Sequence, residues 1–206
     1  MLADPNQPSR DTGMESAGHW QSVYAQKSPT SVSWYQADPV LSHQLIVAIA
    51  PSRDARILDV GGGASTLVDA LLASGYTALT VLDVAPAALD HARARLGAAA
   101  STVTWIAADI LTVALPAVGF DVWHDRAVLH FLTEEADQQH YRDILESATR
   151  PGAIAVFGCF ASDGPAKCSG LPVIRRDPPE LAEFLGSGWS MVAEDRELHT
   201  TPGGVS

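Results

Sequence analysis

Three groups of residues in this chain have types and spacings that could do chemistry. Asp59-Val60-Gly61-Gly62-Gly63-Ala64-Ser65 puts three consecutive glycines between an apolar run and a helical pattern. Lacking Cβ atoms, they permit a tight turn with bare N–H groups, and the helix that comes next offers its positive end to an anionic ligand group. Asp83 and Asp109 close the next two apolar runs, at strand ends where an open α/β sheet places its ligand crevice. His124, Asp125 and His130 cluster around the fourth run. A histidine with an ordinary pKa near 6.5 suits general-base work there, and it suits a structural role on an apolar face equally well.

The residues after the glycines restrict the ligand. A phosphate loop needs Gly-Lys-Ser/Thr, and no lysine occurs between Lys27 and Lys167. A dinucleotide fingerprint starting at Gly61 needs Gly or Ala at position 66, where this chain has Thr66.

The elements that must position these groups alternate short apolar runs with helical segments, the pattern of a doubly wound, mostly parallel α/β sheet with helices on both faces. Strands are expected at about 56–60, 77–82, 103–107, 119–123, 152–160 and 189–197. Helices are expected at about 40–50, with Asp38 as N-cap and Pro39 at the first position, and at 65–74, 86–96, 134–149 and 178–186. Residues 1–17 are polar and without hydrophobic period and read as a mobile tail. Residues 18–206 then form a single domain, with 18–38 as an N-terminal helical lid rich in Trp and Tyr. The chain ends at Thr201–Ser206 with no strand left to close the sheet. The sheet edge would be left open: either this sequence omits a segment that closes it, or a partner chain, such as a second copy in a homodimer, covers it.

Composition bounds the function. The 206 residues carry 13 Lys and Arg against 24 Asp and Glu, a net charge of -11, which argues against a nucleic-acid partner. No apolar run approaches the roughly 18–20 residues of a membrane span, and the N-terminus lacks a signal-peptide pattern, so a cytoplasmic protein without a membrane partner is expected. Cys159 and Cys168 are too few for a disulfide framework or, alone, for a metal cage, so no metal is expected.

The run D-x-G-x-G-x-S from Asp59 to Ser65, with Asp83-Val84, Asp109-Ile110 and Phe120-Asp121-Val122-Trp123-His124-Asp125 in register after it, resembles the class I S-adenosylmethionine-dependent methyltransferases. The resemblance implies a Rossmann-like methyltransferase fold using S-adenosyl-L-methionine and releasing S-adenosyl-L-homocysteine. Asp59, Gly61, Gly62, Gly63 and Ser65 would hold its amino-acid end. Asp83 with Val84 would take the ribose, Asp109 with Ile110 the adenine, and Asp125 would lie near the methyl group.

His19-Trp20-Gln21-Ser22-Val23-Tyr24, Ser33-Trp34-Tyr35 and Asp125-Arg126-Ala127-Val128-Leu129-His130 are similar to a bacterial branch related to the lysine methyltransferases of elongation factor 1A and citrate synthase. The likeness covers about 18–202. Those enzymes carry Asp-Lys-Gly-Thr, one residue and a second Asp where this chain has Asp125 to His130; the exchange of that Asp for His130 departs from a lysine substrate.

Trp20, Tyr24 and Trp34 either close over the ligand or pack the first helix. Trp34 is the lid candidate, contacting the cofactor, and with Asp125 and His130 makes up the candidate catalytic set. Trp20, Tyr24, Arg126, Lys167 and Cys168 are candidates for the acceptor wall, with Arg126, Arg175 and Arg176 as a candidate anion clamp. A thiol, with pKa about 8.5, needs no strong base, whereas a lysine near 10.4 does. The expected reaction is methyl transfer to a small nucleophilic acceptor; protein-lysine methylation and an NAD-using or non-enzymatic nucleotide-binding domain are the alternatives.

Overall fold

The computed structural model describes residues 12–204. Its centre is a parallel sheet of β1 (Arg56–Val60), β2 (Ala78–Asp83), β3 (Thr104–Ala107), β4 (Phe120–Asp125) and β5 (Thr149–Phe157), in the order β3-β2-β1-β4-β5. Strand order reverses between β1 and β4, and a crevice opens beyond strand tips at such a switch point. Alternate residues serve the two faces. Ile57, Val81 and Val122 meet α2 (Val40–Ile49), α3 (Leu67–Ala73) and α4 (Pro86–Leu96) on one side. Leu58, Leu82 and Trp123 meet α5 (Glu135–Ala148) and the apolar residues of α6 (Pro178–Leu185) on the other. Each fully buried Leu or Ile contributes roughly 1.5–3 kcal/mol, enough across both cores to fix the strand register that aligns the tips.

Four features depart from the sequence reading or were absent from it. The expected tail falls outside the described residues through position 11, and from Thr12 the chain is helical as α1 (Thr12–Gln26). Pro39 rather than Asp38 caps α2. The segment 163–173 contains a hairpin of β6 (Lys167–Cys168) and β7 (Leu171–Pro172), whose turn puts Ser169 at φ 51 and Gly170 at φ 82. Positive φ at both central residues is the geometry whose twist suits a two-residue hairpin.

Lastly, no strand forms at 189–197. A strand needs a ladder partner, and this segment instead crosses to the turn after α1, where Gln36 Nε2 donates to Glu197 Oε1 (2.6 Å) and His199 Nε2 lies 2.6 Å from Ser33 O. Among the described residues β5 therefore pairs only with β4, and its outer edge is open. No helix among them is long and apolar enough to cross a membrane.

Candidate active site

The strand tips open into a broad cleft that continues along the open edge of β5, and most of the expected site residues line it. The bend after β1 is its floor. Gly61 (φ 70) and Gly63 (φ 40) adopt backbone that side-chain-bearing residues avoid, and a Cβ on Gly61 would come within 2.6 Å of Val128 Cγ2. The N–H groups of Gly61 and Gly62 do not face outward as expected. Both donate to Leu82 O, at 2.8 and 3.2 Å, tying the bend to β2. Gly61 and Gly62 still line the cleft, although a Cβ on either would collide with Val128 or with Asp59 and Val81, while Gly63 lies behind them, where a Cβ would sit 2.5 Å from Asp83 Oδ2. Ser65 Oγ accepts from Leu67 N–H (3.1 Å) and so helps start α3.

Asp83 ends β2 inside the cleft wall. Its Oδ1 accepts the Ala85 N–H (2.8 Å), and no cation forms an ion pair with it among the described residues. Burial pushes its pKa up to about 7, against that hydrogen bond and with help from the charge of Asp59. A carboxylate so placed has acceptor capacity left for a ligand's hydroxyls. Val84 and Ile110 add apolar wall, and Asp109 faces the cleft with Oδ1 accepting the Leu111 N–H (2.9 Å).

At the tip of β4 the alternation of a strand separates two residues that looked like one cluster. His124 turns toward α2: Nδ1 is 2.7 Å from Asp59 Oδ1 and Nε2 is 2.9 Å from Ser42 Oγ, all three buried. Asp125 turns the opposite way and does not line the cleft. Its Oδ1 accepts from Ala127 and Val128 N–H, and its Oδ2 from Leu129 N–H (3.0 Å) and Tyr141 O–H. Burial raises its pKa, opposed by these hydrogen bonds. The structure therefore gives Asp125 the task of folding the 126–131 turn, rather than the ligand-facing position expected from the sequence.

That turn carries His130 back toward the cleft, beside Phe131 (ring centroids 4.2 Å) and Phe160 (5.1 Å). Burial, with the charges of Arg126 and Arg176, pushes its pKa down to about 4, so it is neutral above that pH. Trp20 packs edge-on against Trp34 (5.4 Å) and Phe131 (5.0 Å), and Trp34 Nε1 donates to Tyr24 Oη (2.9 Å). Burial raises the Tyr24 pKa, with the Asp83 charge adding, so its hydroxyl stays protonated.

Lys167 and Cys168 line the cleft from β6; Lys167 is exposed, and burial pushes the Cys168 thiol up. Arg126 pairs loosely with Glu197 (3.6 Å). Arg175 turns away to Gly164 O (3.1 Å), so it is not part of a clamp. Sequence reasoning passed over Ser42, Phe131, Phe160 and Glu197, which no motif or spacing marks.

Three contacts roof this end. His19 Nε2 lies 3.2 Å from Ser169 Oγ, joining α1 to the hairpin; Trp20 meets Phe131; and Glu197 joins the C-terminal segment to Arg126 and Gln36. The donor set fits a nucleoside joined to an amino acid: a glycine bend at the cleft floor, a buried carboxylate with spare acceptor capacity, and an apolar wall ending in Asp109. No group of three or more His, Cys, Asp or Glu among the described residues is placed to hold a metal ion.

The chain matches a family model described as a methyltransferase domain over residues 57–152. It is 34% identical over 158 residues to uncharacterized methyltransferases of Mycobacterium bovis and Mycobacterium tuberculosis, an alignment covering 77% of this chain and 73% of theirs. It is 21% identical over 186 residues to the mouse eEF1A lysine and N-terminal methyltransferase, covering 90% of this chain but about a quarter, 26%, of that much longer protein. Two solved structures share the fold. One, described by the conversion of a disulfide bond into a thioacetal group during echinomycin biosynthesis, has a TM-score of 0.71 at 21% identity, covering 93% of this chain and 87% of that one. The other is the Burkholderia thailandensis 1,6-didemethyltoxoflavin-N1-methyltransferase with bound 1,6-didemethyltoxoflavin and S-adenosylhomocysteine, with a TM-score of 0.60 at 21% identity, covering 91% of this chain and 80% of that one.

Proposed function

The chain belongs to the class I S-adenosylmethionine-dependent methyltransferases, and from that premise we propose that it methylates a small nucleophilic acceptor, a thiol or another small molecule. When bound, S-adenosylmethionine supplies an electrophilic methyl group on a sulfonium for in-line displacement. The chain's residues do the positioning. Gly61, Gly62, Asp59 and Ser65 would seat the amino-acid end, Asp83 and Val84 the sugar, and Asp109 and Ile110 the base. Holding acceptor and methyl in line can supply about 7–11 kcal/mol of the barrier in well-oriented systems. The faces of Trp20 and Trp34 exclude water and can stabilise a nearby cation by roughly 0.5–2 kcal/mol.

The observation that carries the small-acceptor reading is the roof. The His19–Ser169, Trp20–Phe131 and Glu197–Arg126 contacts bring α1, the β6–β7 hairpin and the C-terminal segment together beside the acceptor end, walls that suit a free molecule better than a side chain on a folded protein. The electrostatics agree. His130, neutral and pushed down to about 4, is a weak base for an ammonium near 10.4, whereas a thiol near 8.5 already holds some thiolate at neutral pH. The test is to incubate a lysate with the enzyme and methyl-labelled donor, then count label in the small-molecule and protein fractions. Label in small molecules is expected. Label confined to protein lysine would replace this reading with the second one.

A further inference from the structure

Arg176 is a buried cation with no carboxylate in direct contact; burial lowers its pKa, and the charge of Glu180 on α6 offsets part of that. The arginine is 9% exposed, and among the described residues no carboxylate oxygen forms an ion pair with it. Nη2 donates to the neutral amide oxygen of Gln138 (2.6 Å), while Nη1, shut off from solvent, has no hydrogen-bond partner. The Phe184 ring, 4.8 Å from the guanidinium carbon, offsets part of the cost of burial. Charged groups buried to this degree are ordinarily paired and their donors satisfied.

His130 repeats the anomaly on the same wall: it is 5% exposed and its Nε2 is buried without a partner. Backbone bonds hold the two together, from Ile174 N–H to His130 O (2.7 Å) and from Arg176 N–H to Phe160 O (2.8 Å), with Phe160 packed edge-on against the His130 ring. Both residues line the cleft at its acceptor end, with Arg126 beside them. The carboxylates of the adjoining segments make their hydrogen bonds and ion pairs with other groups. Glu197 sits against Arg126 and Gln36, Asp125 is wrapped in N–H groups, and Glu180 Oε2 accepts from Asp177 N–H. Cys159, the remaining titratable neighbour, is kept as a neutral thiol because burial pushes it up to about 12.

We propose that Arg176 Nη1 and His130 Nε2, flanked by Arg126, form a subsite for a carboxylate carried by the methyl acceptor. The guanidinium N–H at Nη1 and an N–H at His130 Nε2, in the tautomer that carries the proton there, would match the two oxygens of a carboxylate that displaces the groups now covering them, and a charge-assisted pair is the strong form of such a contact. The inference rests on the small-acceptor reading and narrows it to acidic small molecules, which the net charge of -11 would otherwise disfavour.

The test separates the subsite from the reaction. Propionate and its uncharged analogue propionamide are titrated calorimetrically into the S-adenosylhomocysteine-loaded enzyme, its Arg176→Gln variant, and Arg176→Lys, which keeps the buried charge should the first fail to fold. Propionate is expected to bind the wild type and to bind the variants about tenfold more weakly or worse, with S-adenosylhomocysteine affinity unchanged. Equal propionate affinity in wild type and variants, propionamide binding as well as propionate, or no propionate binding up to about 100 mM would each overturn the proposal. Methylation of 3-mercaptopropionate and 2-mercaptoethanol is measured alongside. Transfer to neither, with Arg176-dependent propionate binding intact, refutes the thiol reading while supporting the subsite.

Discussion

Asp83 should give cofactor binding a pH signature that a mere turn residue would not. The carboxyl is 7% exposed, has one backbone donor, and is pushed up by burial to about 7 from an ordinary 3.8. The folded chain thus keeps a proton that the unfolded chain releases between about pH 4 and 7, so stability falls as pH rises through that window and levels off above it. A displacement of that size corresponds to about 4 kcal/mol of stability lost by pH 8. Asp83→Asn removes the ionisation and should melt about 8–16 °C higher than wild type at pH 8, since each kcal/mol moves the Tm of a domain this size by about 2–4 °C.

Binding should run the other way. The ionised carboxylate is the better acceptor for a vicinal diol, so wild-type affinity for S-adenosylhomocysteine should climb about tenfold from pH 6 to pH 8 as the fraction ionised rises. The variant loses a hydrogen bond to a charged group, about 1.5–3 kcal/mol, and should bind about 10- to 100-fold more weakly at pH 8, with no pH dependence from this position. Calorimetric titration between pH 6 and 8.5, with melting followed by circular dichroism, measures both. A flat wild-type profile, or a variant that binds as tightly as wild type, would refute the reasoning.

Three further substitutions probe the neighbourhood. Trp34→Ala removes a half-buried ring with one hydrogen bond, to Tyr24, and should lower turnover at least tenfold while moving the Tm by only a few degrees; a loss nearer the roughly 3–5 kcal/mol of a core Trp would make the residue packing instead of lid. His124→Leu strands the buried Asp59 carboxylate and Ser42 hydroxyl and should cost about 3 kcal/mol by urea unfolding, whereas a change below about 1 kcal/mol would mean that the chain of bonds supports little. Tyr141→Phe deletes the hydroxyl between Asp125 and Trp123 Nε1; a thermal melt should report a loss of about 1–3 kcal/mol, and an unchanged Tm would show the 126–131 turn to be held by its backbone N–H donors alone.

Local patterns were legible and long-range ones were not. The helix 86–96 was readable to the residue because Pro86 opens it and Gly97, at φ 56, ends it, and the β1 bend because glycines must come after the strand there. Side-chain pairs across the fold leave no such trace: Ser42 and His124 are 82 residues apart, and His19 and Ser169 are 150 apart. Asp125 misled because its position at a strand end is the ligand position. Which face it meets was decided by the alternation of β4, which turned it to Tyr141 and turned His124 to Asp59. The expected strand at 189–197 misled because a strand is completed by its partner, and Glu197 and His199 fasten this stretch to Gln36 and Ser33 instead.

The most direct measurement is a crystal structure of the enzyme soaked with S-adenosylhomocysteine. Its amino-acid end is expected against Gly61–Gly62, its ribose hydroxyls within hydrogen-bond distance of Asp83, and its adenine beside Asp109 and Ile110. Density elsewhere in the cleft, with Asp83 still facing only the Ala85 N–H, would contradict the assignment.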